Sequence, residues 1–216
     1  NLLGKFSTSS SDLSELTFSA LRTISDADNS KWHAEVTLQK SLGNNDQTGL
    51  VLTPMGTEMN MILPYAMQPS DKATRLILGL NNTRKLNDKV SWINQARFKK
   101  VLDEKEWALG DQLELNSWVQ YQYKPSLSVS TRLKFVSQKD ISGSNPMIMA
   151  PVQTANPENY GGDELHIGFG ANYDLSSLTS KQDVVGVEVL FPIIQDKNGL
   201  QLETKHQIVL GFNRSF

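Results

Sequence analysis

Residues 163–174 read DELHIGFGANYD, with Leu165, Ile167, Phe169, Ala171 and Tyr173 at one parity and Glu164, His166, Gly168, Gly170, Asn172 and Asp174 at the other. A strand sends successive side chains to opposite faces, so this strict alternation predicts a strand with one oily and one wet face. A helix would scatter both sets around its circumference.

The same pattern spreads outward in both directions. Downstream, Val185, Val187, Val189, Phe191 and Ile193 oppose Val184, Gly186, Glu188 and Leu190. From Leu202 to Phe216, Leu202, Thr204, His206, Ile208, Leu210, Phe212, Arg214 and Phe216 share one face against Glu203, Lys205, Gln207, Val209, Gly211, Asn213 and Ser215. Upstream, Leu127, Val129, Leu133 and Phe135 oppose Ser128, Ser130, Arg132 and Lys134, while Leu113, Leu115, Val119 and Tyr121 oppose Gln112, Glu114, Asn116 and Gln120. Trp92, Ala96 and Phe98 face away from Ser91, Gln95, Arg97 and Lys99, and Leu76, Leu78 and Leu80 from Arg75 and Gly79. Near the start, Trp32, Val36 and Leu38 oppose His33, Glu35, Thr37 and Gln39, and Leu16, Phe18 and Ala20 oppose Glu15, Thr17 and Ser19.

The connections alternate in length as well. Short ones fall at Asp26 to Ser30, Leu86 to Asp88, Lys124 to Ser126 and about Leu175 to Asp183. Longer ones fall at Leu42 to Lys72, Lys100 to Gly110, Gln138 to Gly162 and, shortest of these, Gln195 to Gln201. Outer-membrane barrels have short periplasmic turns and long extracellular loops, so the rhythm predicts an up-and-down antiparallel transmembrane β-barrel, with a side for every connection.

Composition is compatible with that class. The 216 residues carry a net charge of -2 and, with 38% hydrophobic residues, would suit an ordinary soluble domain. Alternating strands average to such a polarity, whereas a membrane helix would need about 20 successive apolar residues, and no such run exists. Lys and Arg are dispersed rather than clustered, which excludes a nucleic-acid footprint. Cysteine is absent, so disulfides, thiolate metal sites and thiol nucleophiles are excluded.

About nine strands are expected within this chain. Bacterial single-chain barrels have even counts, so an odd number of strands, together with a secretory signal, is expected ahead of Asn1. The terminal Phe216, on the oily parity with Phe212, resembles the signature by which the barrel-assembly machinery recognises its substrates; Arg214 departs from it, and a long cation near a strand end can snorkel to the interface.

A narrower resemblance rests on an ordered set of segments: Leu63-Pro64-Tyr65-Ala66-Met67-Gln68 ahead of a strand, Gly110-Asp111 opening another, Ile141-Ser142-Gly143 with Asn145-Pro146-Met147, Thr154-Ala155-Asn156-Pro157 with Gly161-Gly162, Phe191-Pro192, and Gln201-Leu202-Glu203-Thr204. From about Ser14 to Phe216 the chain resembles the family of outer-membrane channels assigned to the meta pathway of phenol degradation. That resemblance implies a barrel of about twelve strands, three of them ahead of Asn1, and an even count in keeping with bacterial barrels. It also implies uptake of small hydrophobic or aromatic compounds without energy coupling, in the outer membrane of a Gram-negative bacterium.

In a diffusion channel, function resides in pore-lining groups rather than catalysts. By parity the lumen is expected to receive Glu15, His33, Glu35, Arg75, Arg97 and Lys99 from the first half of the chain. Glu114, Arg132, Lys134, Glu164, His166, Glu188, Glu203 and Lys205 follow from the second. The bland alternative is a self-paired polar interior. His33, His166 and His206 lack ligand spacing, so neither metal nor cofactor is expected, and no serine sits in a nucleophile elbow. The long loops are apolar for loops. Met59, Met61 and Tyr65 in one, with Met147, Met149 and Tyr160 in the other, are expected to form an entrance for greasy ligands; the rival reading is that the loops pack on each other. Competing classes are a structural or adhesin barrel, a lipid-modifying barrel hydrolase, and a soluble β-barrel binder, which needs the opposite facing.

Overall fold

A computed structural model describes residues 7–53, 55–148, 152–176 and 182–215. Nine long strands form one antiparallel sheet: β1 (Glu15–Ala27), β2 (Ser30–Ser41), β5 (Thr74–Lys85), β6 (Val90–Asp103), β8 (Gln112–Lys124), β9 (Leu127–Gln138), β11 (Gly162–Asp174), β12 (Gln182–Lys197) and β13 (Gln207–Ser215), hydrogen-bonded in that order. Each neighbour in space is the next long strand in sequence, a meander in which every pair is antiparallel. β1 and β13 are the edges, and they do not pair with each other among the described residues.

The alternation seen in the sequence is realised strand by strand. Register aligns Leu21, Glu35, Gly79, Arg97, Glu114, Val136, Glu164 and Gln195 as one row across the sheet. The next row inward from the long loops aligns Thr23, His33, Asn81, Gln95, Asn116, Lys134 and His166. These rows lie on the covered face, where Thr37, Gln39, Arg75, Asn116 and His166 are buried. The opposite face carries Leu16, Phe18, Val36, Leu78, Phe98, Leu115, Leu133, Phe169, Val187 and Leu210, all exposed. A single cavity is lined by residues of β5, β6, β8, β9, β11, β12 and β13, so the sheet curls around its polar face.

Two of the short connections are tighter than the sequence suggests, with β1 and β2 separated only by residues 28–29 and β8 and β9 only by residues 125–126. Two further ribbons, unanticipated in the sequence, lie in the long connections. β3 (Thr48–Leu52) pairs with β4 (Glu58–Ile62), and β7 (Trp107–Ala108) pairs with β10 (Ser142–Gly143). The last strand also begins later than expected, at Gln207 instead of Leu202. The reason is local: Gln195 of β12 takes the backbone of Thr204 with its side-chain amide, donating to the carbonyl at 3.1 Å and accepting from the N–H at 2.8 Å. Upstream of Gln207 the backbone is thus satisfied by a side chain, and a ladder there is unnecessary. Pro192 sits where the β11 register skips a residue, beyond the last β12–β13 pair at Leu190. A bulge past the end of a ladder is where a residue without an N–H fits.

Above the long-loop end of the sheet the connections fold onto one another. Tyr65, Trp107, Ile141, Ile148 and Ala155 form a hydrophobic cluster, with Ile62 and Tyr160 against it. Tyr65 meets Trp107 edge-on at 4.8 Å and Tyr160 at 6.0 Å. The three segments of this cap come from three different loops, so it has a core of its own, separate from the sheet.

Candidate functional site, a charged and amide-lined concave face

The covered face holds a ladder of ion pairs that step over intervening strands. Arg97 on β6 donates to Glu35 on β2 at 3.0 Å, passing across Gly79 of β5. A Cβ at Gly79 would stand 2.9 Å from the Glu35 carboxylate, so the glycine is what leaves room for the pair. Arg132 on β9 likewise reaches Glu188 on β12 at 2.7 Å, over the glycines of β11, and donates to the Asn116 side-chain oxygen at 3.0 and 2.7 Å. Glu114 lies between the two groups, 3.4 Å from Lys134 and 4.0 Å from Arg132. Glu164 bridges His166 at 2.8 Å and Lys197 at 3.2 Å.

The pore-lining residues expected from parity therefore divide into groups. Glu35, Arg97, Glu114, Arg132, Lys134, Glu164, His166 and Glu188 share the covered face and are joined by the pairs above. Lys99 and His33 lie half-buried on the same face without an ion pair among the described residues. Glu15 is exposed on the edge strand β1. Glu203 and Lys205 are exposed in the connection before β13, a correction to their expected place on a strand wall.

Arg75 does something different. Its guanidinium is buried at the loop end of β5, where it pairs with Asp71 and donates to Ser41 at 3.1 Å and to the Leu109 carbonyl at 3.3 Å. Asp71 in turn accepts from the backbone N–H groups of Leu109 and Ala73. Burial pushes the Asp71 carboxyl up, but the Arg75 hydrogen bond and charge and the two backbone donors outweigh it and hold it below the ordinary carboxylate range. This pair tacks the cap to the wall.

In the cap, Tyr65 is buried and accepts from the Asn145 backbone N–H at 3.0 Å, while Tyr160 accepts from the Ala66 N–H at 3.0 Å and donates to the Thr154 carbonyl at 2.7 Å. Burial pushes the Tyr160 phenol up, against the opposing Ala66 donor. Met59 is exposed and Met61 half-buried on the β3–β4 ribbon, and Met147 is exposed beside the cluster. The structure thus brings the two tyrosines together and leaves Met59 and Met147 at the cap's surface; Met149 lies outside the described residues.

Phe212 is exposed on the oily face of β13, opposite Val185, while Phe216 lies outside the described residues. Arg214 does not project freely: it donates to both carboxylate oxygens of buried Asp183 at 2.7 Å.

Several residues that build the face were not singled out from the sequence. Trp118, with Arg132 stacked 4.5 Å from its ring centre, stands at the wet parity of β8 between Asn116 and Gln120, so parity alone identifies it. Gly79 was legible only as a wet-parity position of a strand and Asp71 only as a residue ahead of one, because their roles depend on partners 4 to 38 residues away or on adjacent strands.

Compared with known proteins, the chain matches no family model, and no curated protein matches it.

Proposed function

We propose that this chain is the greater part of an outer-membrane β-barrel that serves as a passive channel for small molecules. The observation that carries the reading is the polarity of the sheet: leucine, valine, isoleucine and phenylalanine cover its exposed face, and ion pairs and amides fill its covered face. A water-soluble barrel needs the reverse, since an exposed apolar face of this extent is unfavourable in water. Strands of 9 to 16 residues meet the length that a tilted membrane strand requires.

Three more observations support it. Trp32, Trp92, Tyr121, Tyr123 and Tyr173 are exposed on the oily face toward the short-turn end, where an aromatic girdle belongs in a membrane barrel. The four short and four long connections alternate. The backbone groups of β1 and β13 along the sheet's edges would each cost several kcal/mol unpaired in hydrocarbon, so the proposal includes further strands, about three for a barrel of about twelve, that close the wall between them. The outer membrane of a Gram-negative bacterium is then the location, its lipid the surrounding solvent, and the barrel-assembly machinery the partner in insertion.

For the cargo, the resemblance to phenol-pathway channels favours small hydrophobic or aromatic molecules, with the cap as their entrance. A second reading, a structural or adhesin barrel, is favoured by the packed cap, which fills space above the sheet. Refolded protein in planar bilayers discriminates the two. Stepwise conductance is expected; a folded, detergent-dependent barrel that never conducts belongs to the second class, and a chain that stays monodisperse without detergent overturns both.

A further inference from the structure

We propose that the bore contains a binding subsite built around Trp118 for a small neutral molecule that carries a flat ring and at least one hydrogen-bonding group. The proposal deepens the channel reading and rests on it.

The aromatic residues with polar tips are distributed by function. Of four tryptophans and five tyrosines, five residues sit on the exposed face toward the short turns and three (Tyr65, Trp107 and Tyr160) in the cap. Trp118 is the one left to face the interior. It lines a cavity of about 400 Å³, a volume within the usual range for small-molecule sites. Ile93, Ala171, Val187 and Val209 add apolar wall, and Asn81, Gln95, Gln120 and Asn172 supply amides.

Charge in this part of the bore is already spent. Arg132 covers one approach to the indole at 4.5 Å, and Glu188 and Asn116 hold its guanidinium. A charged guest would have to break that pair, whereas a neutral one meets amides. Gln95 and Asn81 bond each other at 2.8 Å and Gln120 bonds Ser128 at 2.9 Å, but the Asn172 side chain has no hydrogen bond among the described residues.

Space is also reserved. Gly170, Gly186 and Gly211 line the same cavity, and a Cβ at Gly211 would meet nothing within 4 Å. Glycine weakens a strand interior, and at Gly211 no neighbouring atom requires it. Open wall in the same cavity as a single indole is what a stacked planar guest needs, because aromatic pairs gain from offset or edge contact at ring separations of about 4.5–7 Å.

The test compares benzamide, its charged relative benzoate and its non-planar relative cyclohexanecarboxamide. Flux into liposomes is measured alongside binding to the detergent-solubilised protein, followed by tryptophan fluorescence. Wild type should pass and bind benzamide saturably and the other two several-fold more weakly. Trp118→Ala should raise the benzamide half-saturation roughly 3- to 10-fold, by the range of aromatic-pair strengths. Trp118→Phe should fall between them, and Gly211→Val, which fills space on the cavity wall, should weaken benzamide alone. Equal binding of benzamide and cyclohexanecarboxamide, or an unchanged half-saturation in both Trp118→Ala and Gly211→Val, overturns the subsite. If wild type binds benzamide in detergent but passes neither salt nor solute, the subsite stands and the channel reading falls.

Discussion

The wall and the cap of this molecule are built by opposite rules. In the wall, Phe18 is 66% exposed and His166 is 1% exposed; in the cap, Trp107 is 2% exposed and Ile141 is 5% exposed. One short polypeptide thus turns its oil outward in one region and inward in another. The hydrophobic effect favours whatever arrangement keeps apolar surface from water, so the two regions answer to two solvents: the cap to water, and the wall, on the proposed reading, to lipid. Their junction is a buried ion pair, Asp71 with Arg75, held by backbone donors from the segment leading to β5 and from Leu109.

That junction is where the contrast breaks most easily. Asp71→Ala leaves Arg75 buried and unpaired, a loss of about 3–5 kcal/mol, and the cap should detach while the sheet survives. Limited proteolysis, with new cleavage in the long connections and an intact sheet core, reads this out. The same junction is acid-sensitive. Because Asp71 titrates below its unfolded value, its support is present above about pH 4 and is lost as pH falls through the lower folded pKa, so Trp107 emission should red-shift in acid before the sheet melts.

Within the cap, Trp107→Ala empties the centre of the small core and should cost about 3–5 kcal/mol. An unchanged urea midpoint for cap opening in that variant would mean that the cluster is not a cooperative unit. On the wall the sharpest probe is Leu133→Arg, on the oily face of β9. It should destabilise the protein by about 2–4 kcal/mol if that face meets the hydrocarbon midplane, and by less than about 0.5 kcal/mol if it meets water. Unfolding in lipid vesicles distinguishes the two values.

The smallest effect concerns the ion-pair ladder. Arg97 is about a third exposed, so Glu35→Gln should cost under about 1 kcal/mol in stability. It leaves a cation without its partner on the covered face, and the reversal potential in a salt gradient should move toward anions. An unmoved reversal potential would separate this pair from the conduction path.

Alternation made nearly all of the wall legible. Strand number and the separation of the two faces follow from period two at 163–174 and its eight counterparts, because a side chain's face is a local property of the strand. The polar parity likewise placed Glu35, Arg97, Arg132 and Glu188 on one surface. The cap was not legible. Met59, Tyr65, Met147 and Tyr160 stood out as apolar residues in loops, but which of them would be buried depended on contacts between connections as far as 94 residues apart. Boundaries also escaped where a side chain replaced a ladder, as Gln195 does for Thr204.

The sequence by itself thus determined the separation of oily from wet faces, which needs only the strand's own geometry, and its short turns determined which strands neighbour each other as hairpins. Only the tertiary structure decided which side of the sheet curls inward, which charges pair across a glycine, and that three loops share a hydrophobic core. Those outcomes depend on distances between segments far apart in the chain, and alternation within one strand contains no information about them.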